Sequence, residues 1–427
     1  MTWKVLLAGG CVLTLGARTP NHKQADVLIE DGLIAEVGPS IHARDAEQID
    51  ATDTIVMPGF VDTHRHAWTS LFRNAGESDA SAGAADGHPN GFTADDLYAA
   101  TLIGLLGAVE AGITTVVDWS SAEPDDLAEA ALQAHVDAGL RTVFVDAAPV
   151  SRDRAARLSE RAGPSTTIAF GAEARSAAEI DASAGDWAGA RELGMRIHVH
   201  AGSDGGISAA AERGLLGDDV TVVHGSPLAA ADVDAGASSG AAFSVSPVSE
   251  MAGGLGTPPI QHLIDRDVRP GLAVDDERVS PGDLFAQMRA AISMQHATVF
   301  HLKLAGKAGV PKLMNTRDVI RFATSDGARA AGLSEITGSL EPGKAADVVV
   351  LRADRPNIFP INDPIGAVVW GMDTSNVDWV FVGGRALMRE GVLAAEVQRA
   401  RSLAAEARRR VADAFGSIVG AASGGSG

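Results

Sequence analysis

The chain has 427 residues, of which 46% are hydrophobic, so it is long enough to bury a barrel-sized core beside a smaller domain. Its formal net charge of -20 argues against nucleic acid and anionic membranes as partners. The single cysteine, Cys11, excludes an internal disulfide framework, and the absence of any run of about 18 apolar residues predicts no membrane span.

Short apolar runs separated by turn residues predict a β-rich segment over residues 1–55. Asp31-Gly32 lies between two of these runs, at 27–29 and 33–37, and this dipeptide is a strong hairpin signal. Similar runs return over residues 337–395. Two β-rich ends that enclose a different middle predict one discontinuous β-domain.

The stretch of residues 56–68 contains an apolar run that ends in His64 and His66. Successive side chains of a strand point to opposite faces, so residues two apart share a face. These two imidazoles can therefore converge on one point, as a metal site on a rigid scaffold requires. The preceding Pro58-Gly59 and the acidic Asp62 on the same strand favour a metal site over a chance His-x-His.

The middle of the chain, residues 56–336, alternates apolar runs with Ala-rich helical patterns such as 126–138 and 186–193. This alternation is typical of parallel β/α units. Eight apolar runs predict an α/β fold with a (β/α)8 barrel of the TIM type. For residues 396–427 we predict a C-terminal helix and a flexible tail. The eight predicted strands are residues 55–66, 114–119, 142–146, 167–170, 195–200, 220–224, 242–246 and 270–275.

Polar side chains end several of these strands. His64 and His66 end the first strand, His200 the fifth, His224 the sixth and Asp275 the eighth. The carboxyl ends of barrel strands form the face that carries the active site. Three neutral imidazoles and one carboxylate suit a divalent ion that keeps one position for water. The pattern therefore predicts a hydrolytic metal centre.

His224 and Asp275 are the residues expected to move protons. Asp275 can bind the ion and take a proton from the attacking water, and His224 can polarise or protonate the electrophile. His198 shares a strand face with His200, so it is either a substrate-facing group or a packed core histidine.

Two motifs resemble those of the amidohydrolase superfamily. Residues 58–66 match its opening pattern, Pro-Gly-hydrophobic-hydrophobic-Asp-x-His-x-His. Residues 338–347 match Gly-x-x-x-Pro-Gly-Lys-x-Ala-Asp, with which its members re-enter a β-sandwich after the barrel. The resemblance covers nearly the whole chain and is closest to the group of atrazine/triazine chlorohydrolases and cytosine or S-adenosylhomocysteine deaminases.

This resemblance implies a fold, a cofactor and a reaction. The fold is a barrel (56–336) with a discontinuous β-sandwich built from residues 1–55 and 337–395. The reaction is hydrolysis of a C–N bond, with a C–Cl bond as the less favoured case, in a small heterocycle or cyclic amide. A homodimer or higher homo-oligomer is also implied. The cofactor is one divalent ion, zinc or alternatively iron, held by His64, His66, His200 and Asp275.

One position departs from the pattern of this group. Many of its deaminases place a proton-carrying Glu three residues after the metal-binding histidine of strand five, where this chain has Ser203. Glu250, after strand seven, is a candidate for the missing acid or for a substrate contact. The alternative is that Glu250 only begins a loop. Glu173, after strand four, is a candidate bridge in a less favoured two-metal site.

The substrate is only weakly marked in the sequence. Trp68 and Trp119 can supply flat walls for a planar ring, or they can pack beneath the barrel rim. The segment 74–92 is rich in Gly, Ala and Asp and is long enough for a mobile lid. No cluster of Arg or Lys at the strand ends marks a clamp for an anionic substrate.

We therefore expect a cytoplasmic, metal-dependent hydrolase of a small molecule, with neither nucleic acid nor a membrane as partner. Two alternatives remain open. One is a cyclase or dehydratase of the same fold in secondary metabolism, which the missing Glu makes reasonable. The other is a catalytically silent binding protein, against which the intact set of ligands argues.

Overall fold

The computed structural model describes residues 3–73, 91–122, 124–226 and 228–415. Its first five strands belong to one mixed sheet, in which β1 pairs antiparallel with β2 and parallel with β4 and β5. Asp31 and Gly32, both at positive φ, form the tight turn between β2 and β3, so the predicted hairpin is confirmed. The strands are β1 Lys4–Val12, β2 His22–Glu30, β3 Leu33–Gly38, β4 Glu47–Asp50 and β5 Thr54–Pro58.

The predicted first barrel strand, residues 55–66, is two strands in the structure. Thr54–Pro58 pairs within the mixed sheet, and Phe60–Arg65 begins the barrel. Gly59 separates them, and a Cβ at this position would lie 2.0 Å from the side chain of Thr114. The apolar run crosses this break without interruption, so its pattern does not reveal that it serves two sheets.

Eight parallel strands form the barrel, as predicted. Neighbours in sequence are neighbours in the sheet, from the first barrel strand to the last. The first and last strands meet through backbone hydrogen bonds of 3.0 Å from Asp275 N to His64 O and from His66 N to Asp275 O. The strands are β6 Phe60–Arg65, β7 Ile113–Ser120, β8 Arg141–Asp146, β9 Thr166–Ser176, β10 Ile197–Asp204, β11 Val220–Val223, β12 Ala242–Val245 and β13 Gly271–Leu272.

Helices surround the barrel strands, and the predicted helical stretches 126–138 and 186–193 lie within two of them. Among the described residues, no helix is both long and apolar enough to cross a membrane. A 3₁₀ helix spans Ala67–Phe72, and Pro364–Gly366 continues as Ala367–Gly371. The other helices of the described residues are Ala94–Glu110, Asp125–Ala138, Arg152–Arg161, Ala177–Glu192, Gly206–Glu212, Ala230–Ser238, Pro247–Ala252, Ile260–Asp265, Leu284–Leu304, Thr316–Phe322, Ser325–Ala330, the 3₁₀ helix Thr374–Asn376 and Val397–Phe415.

Four later strands return to the mixed sheet, so the predicted discontinuous β-domain is confirmed. β14 pairs antiparallel with β5, and β15 to β17 extend the sheet beyond it. Residues from both ends of the chain, such as Val27, Ile34, Val348 and Phe381, share one buried cluster. These strands are β14 Val348–Arg352, β15 Val377–Val382, β16 Arg385–Arg389 and β17 Val392–Leu393.

The barrel interior is a packed core beneath the catalytic end. Small and branched side chains from several strands meet there, and the segment 328–333 packs against them. Filling of this kind is typical of TIM-type barrels, whose interior is not a pore. The polar side chains that end the strands therefore lie above a packed apolar layer formed by Val61, Val117, Val143, Val145 and Ala169.

Asp347, the last residue of the motif 338–347, joins the two domains. Its carboxylate accepts hydrogen bonds from barrel residue Arg141, at 2.6 and 3.1 Å, and from the backbone N–H of Gly383 at 2.8 Å. Its backbone carbonyl accepts from Gly59 N at 3.0 Å, at the break between the two sheets. The side chains of Asp347 and Arg141 are almost wholly buried.

We predict that Asp347→Ala lowers the free energy of unfolding by about 3–5 kcal/mol, because it leaves a buried guanidinium without its partner. Chemical denaturation followed by circular dichroism measures this change. The matched control is Asp354→Ala, which removes a half-exposed pair with Arg352 in the same domain and should change stability little. Equal stability of the two variants would contradict this role for Asp347.

Candidate metal centre

Five side chains in or just after four strands converge at the carboxyl end of the barrel. His64 lies in β6 and His66 just beyond it, His200 lies in β10, and His224 and Asp275 follow β11 and β13. The Nε2 atom of His64 is 3.2 Å from the Nε2 atoms of both His66 and His200. Asp275 Oδ1 is 3.5 Å from Nε2 of His64 and 3.7 Å from Nε2 of His66.

These donor atoms fit a divalent ion. The three predicted histidine ligands form one group, and His64, His224 and Asp275 form another, in which the ligand atoms lie within 4.8 Å of one another. Imidazole nitrogens and a carboxylate oxygen are the ligands that zinc prefers in catalytic sites. The structure therefore brings together the four predicted ligands and places His224 beside them.

Burial prepares the histidines to bind a cation. It lowers the pKa of His64 well below its usual value, and it outweighs the Glu173 carboxylate to bring the pKa of His200 to about 4. Burial opposes ionisation of Asp275, but the imidazoles of His224, His64 and His66 hold its pKa well below the usual range. At neutral pH, the site thus presents free nitrogen lone pairs and an anionic carboxylate.

His224 adopts a left-handed backbone conformation, with φ at 66°, just after β11. This conformation is rare for a residue other than glycine and is concentrated at functional sites. The ring of His224 stacks on that of His200, with centroids 5.4 Å apart. Burial lowers its pKa, but the carboxylates of Asp275, Glu250 and Glu173 raise it to about 9.

Asp275 also has a left-handed backbone, with φ at 65°. The backbone hydrogen bonds that close the barrel fix its main chain between His64 and His66. Ser249 donates a hydrogen bond to Asp275 Oδ2 at 2.5 Å, which leaves Oδ1 on the side of the histidines. The carboxylate is therefore held from two directions, which suits a ligand that must not move.

Glu250 is fully buried, and its carboxylate accepts three backbone hydrogen bonds. The donors are Gly225 N at 3.3 Å, Ser226 N at 3.0 Å and Ser246 N at 2.8 Å. Glu250 Oε1 also lies 3.8 Å from Nδ1 of His224. Glu250 therefore joins the segments that follow β11 and β12 and fixes the position of His224. This geometry supports a positioning role; proton transfer by Glu250 remains a prediction.

The position of the missing strand-five acid is occupied by Ser203, which has no carboxylate. The hydroxyl of Ser203 donates to Asp204 Oδ1 at 2.9 Å, and both residues are exposed. Glu173 of the neighbouring strand lies opposite His200 and approaches its Nδ1 atom at 3.2 Å. The other ring nitrogen of His200, Nε2, is the one that approaches His64. Glu173 therefore contacts the side of the ring away from the proposed ion, which is not the contact expected of a carboxylate that bridges two ions.

The aromatic residues predicted as substrate walls are packed in the protein. Trp119 is 2% exposed, and its ring stacks on His200 with centroids 3.8 Å apart. Trp68 is 6% exposed and packs against Phe72 and Phe92. Of the two alternatives for these residues, the geometry favours packing beneath the rim. Most of the predicted lid, residues 74–90, lies outside the described part of the chain.

His198 is buried in the barrel interior. Neither of its ring nitrogens has a hydrogen-bond partner within the part of the chain that the structure describes. Burial, with smaller effects of Arg196 and His200, lowers its pKa to about 3. Its burial and position one layer below His200 favour the core alternative, and a contact with substrate stays a prediction.

A buried ion network supports the site and was not anticipated from the sequence. Arg65 donates to Asp62 at 2.8 Å, to Glu277 at 2.6 Å and to the carbonyl of Gly282 at 3.1 Å. Glu277 also accepts from Ser70 at 2.8 Å. The network ties the segment after Asp275 to the segment after His66. The acidic run 275–277 was the only signal, and it does not specify which partners it meets.

Known proteins resemble this chain along most of its length. Residues 55–387 match the model of the amidohydrolase family. A 5'-deoxyadenosine deaminase of Methanosarcina mazei is 26% identical over 413 residues, which cover 90% of this chain and 93% of that protein. A 5-methylthioadenosine/S-adenosylhomocysteine deaminase of Desulforudis audaxviator is 29% identical over 415 residues, covering 85% of this chain and 89% of that protein.

Solved structures share the fold. An adenosine deaminase from Xanthomonas campestris with bound zinc superimposes with a TM-score of 0.79 at 20% identity, covering 96% of this chain and 99% of that one. An atrazine chlorohydrolase from Arthrobacter aurescens in complex with zinc also gives 0.79 at 20% identity, with 95% and 100% covered. These structural relatives bind zinc, and the present chain has a group of residues that can hold a metal.

We predict that the purified protein contains about one equivalent of zinc or iron, and that His66→Ala or Asp275→Ala empties the site. Elemental analysis of dialysed protein measures the metal. The matched control is His262→Ala, which removes a partly exposed histidine paired with Asp234 away from the site and should keep the metal. Metal at wild-type levels in both site variants would refute the assignment.

Proposed function

Because the chain belongs to the amidohydrolase family, we propose that it is a metal-dependent deaminase that releases the amino group of an adenosine-like nucleoside. Its general class is that of hydrolases acting on C–N bonds other than peptide bonds. The observation that carries the proposal is the convergence of His64, His66, His200 and Asp275 beside His224. The choice of an adenosine-like nucleoside as substrate rests on the names of two kinds of related deaminase, which act on 5'-deoxyadenosine and on 5-methylthioadenosine or S-adenosylhomocysteine.

The proposed cofactor is one zinc ion, with iron as the alternative, held by the four predicted ligands. When bound, a divalent ion lowers the pKa of water toward neutrality and so supplies a nucleophile at pH 7. Asp275 Oδ1 lies on the side of the histidines and would accept a proton from the attacking water. His224, whose pKa the carboxylates of Asp275, Glu250 and Glu173 raise, would donate a proton to the nitrogen that leaves or to the ring.

The charges at the catalytic end support a substrate without an anionic group. The arginines that end or follow barrel strands there are each bonded to a carboxylate of the chain. The sequence of segment 74–90 contains acidic residues and neither Lys nor Arg. A phosphate or free carboxylate on the substrate would meet net negative charge. The pairs are Arg65 with Asp62, Arg73 with Glu277, Arg154 with Asp146, Arg175 with Glu173 and Arg278 with Asp276.

Ser203 in place of the expected acid supports one other candidate, a cyclase or dehydratase of the same fold. A dehydration or ring closure that releases no amine has no departing nitrogen to protonate, so it would not need a carboxylate in that role. The catalytically silent alternative is not retained, because the class of the chain is that of an enzyme family and its four ligands are present.

We predict release of ammonia from 5'-deoxyadenosine, 5-methylthioadenosine or adenosine, with adenosine 5'-phosphate processed at least about tenfold less efficiently because of charge repulsion. An enzyme-coupled ammonia assay with metal-loaded protein measures kcat/KM for each nucleoside. Turnover of none of them would refute the proposal, and a ring-closed or dehydrated product in a wider substrate screen would favour the alternative.

On the same substrate, His224→Ala and Glu250→Gln should each lower kcat at least about a hundredfold without loss of metal. The first removes the acid. The second places an amide N–H₂ against backbone N–H donors and so displaces the His224 segment. The control is Glu192→Gln at an exposed pair with Arg152. Normal turnover by Glu250→Gln would exclude both proton transfer by Glu250 and its positioning of His224, and would leave it as a substrate contact or a loop residue.

We also propose that the protein is a cytoplasmic homodimer. The support is the resemblance of its sequence motifs to the amidohydrolase superfamily, which implies a homo-oligomer. Multi-angle light scattering at micromolar concentration should give twice the mass of the chain, which is 43.8 kDa. A monomeric mass over this range would contradict the assembly, and recovery of the native protein from a membrane fraction would contradict the location.

A further inference from the structure

We propose that Glu173 is a positioning residue that holds the metal ligand His200 in its binding orientation. The inference rests on the metal site of the proposed function, but not on the identity of the substrate. Glu173 would act through the ring of His200, so it is distinct from the missing strand-five acid, which in relatives carries protons. It assigns a use to a carboxylate that the proposed proton transfers leave without one.

The contact is built into the strand register. Glu173 in β9 lies directly opposite His200 in β10, and its Oε1 atom is 3.2 Å from Nδ1 of that ring. An ionised carboxylate has acceptor atoms only, so Nδ1 must carry the hydrogen and Nε2 must carry the lone pair. Nε2 is the atom that approaches His64 at 3.2 Å. The hydrogen bond thus selects the tautomer that can bind a metal.

A second contact holds the face of the same ring. Trp119 in β7 stacks on His200 with an angle of 24° between the rings. Gly171, one layer below Glu173 in β9, makes room for this indole, because a Cβ there would lie 3.0 Å from Trp119 Cη2. β9 therefore orients His200 in two ways. Glu173 contacts the ring nitrogen, and Gly171 leaves space for the indole that stacks on the ring. Of Glu173, Trp119 and Gly171, only Glu173 makes a hydrogen bond to a ring nitrogen of His200.

Competing partners of Glu173 are weaker. Its other oxygen meets Arg175 Nε at 3.3 Å, and the side chains of Glu173 and Arg175 are 40% and 58% exposed. An exposed pair of this kind contributes little to the stability of the fold. Removal of the Glu173 carboxylate should therefore affect the ligand His200 much more than the folded state.

The experiment compares Glu173→Ala, Glu173→Gln and Asp204→Asn with the wild type. Asp204 is the matched control, since it is an exposed carboxylate on β10 that bonds to Ser203 and not to a ligand. Metal-free proteins are titrated with Zn²⁺ in competition with a chromophoric chelator, and the absorption spectra of their Co²⁺ forms are recorded. Thermal unfolding of the metal-free proteins reports any general structural effect.

Glu173→Ala should weaken Zn²⁺ binding about 10–100-fold and change the Co²⁺ spectrum, as loss of a carboxylate behind a ligand histidine does. Glu173→Gln should bind more tightly than Glu173→Ala, because its amide oxygen still accepts from Nδ1. Asp204→Asn should match the wild type, and all metal-free proteins should unfold alike.

Wild-type Zn²⁺ affinity and an unchanged Co²⁺ spectrum in Glu173→Ala would overturn the inference. An equal loss in Asp204→Asn would do the same, because it would indicate a general effect of negative charge. Failure of the proposed deamination is a separate result, since these affinities are measured without substrate. A wild type that takes up no Zn²⁺ would remove the metal site and this inference together.

Discussion

The barrel closes between its first and last strands through backbone hydrogen bonds that Asp275 makes to His64 and His66, each 3.0 Å long. These three residues are also three of the four proposed metal ligands. The backbone contacts that close the barrel therefore also bring these three side chains together. The remaining ligand, His200, comes from β10 on the opposite side of the barrel, where β9 and β7 hold its ring.

Strain and buried charge are concentrated around this closure. His224 and Asp275 keep left-handed backbones, each of which costs on the order of 1–3 kcal/mol in a residue other than glycine. Glu250 accepts from the backbone N–H groups of Gly225 and Ser226, which follow His224, and Ser249 donates to the carboxylate of Asp275. Arg65, buried between Asp62 and Glu277, secures the segments on either side. The fold thus stabilises a local geometry that the sequence would not adopt in isolation.

Sequence periodicity predicted the eight strands, the discontinuous β-domain and the identity of the side chains at the strand ends. The strands and the side chains at their ends were predictable because each depends on residues close together in the chain, whereas the discontinuous β-domain was inferred from the similar patterns of its two distant ends. It did not reveal the break at Gly59, since both flanking strands are apolar. It also did not reveal that Glu250 accepts from the backbone N–H groups of Gly225 and Ser226 or that Trp119 stacks on His200, because these contacts join residues 24 or more positions apart and depend on how the barrel strands and the segments after them pack.

The four proposed ligands, His64, His66, His200 and Asp275, should hold one metal ion at the carboxyl end of the barrel. Anomalous diffraction from crystals, recorded on both sides of the zinc edge, can locate this ion. This assignment predicts a single peak about 2.0–2.2 Å from Nε2 of the three histidines and from Asp275. A metal bound elsewhere, or no peak in active protein, would contradict it.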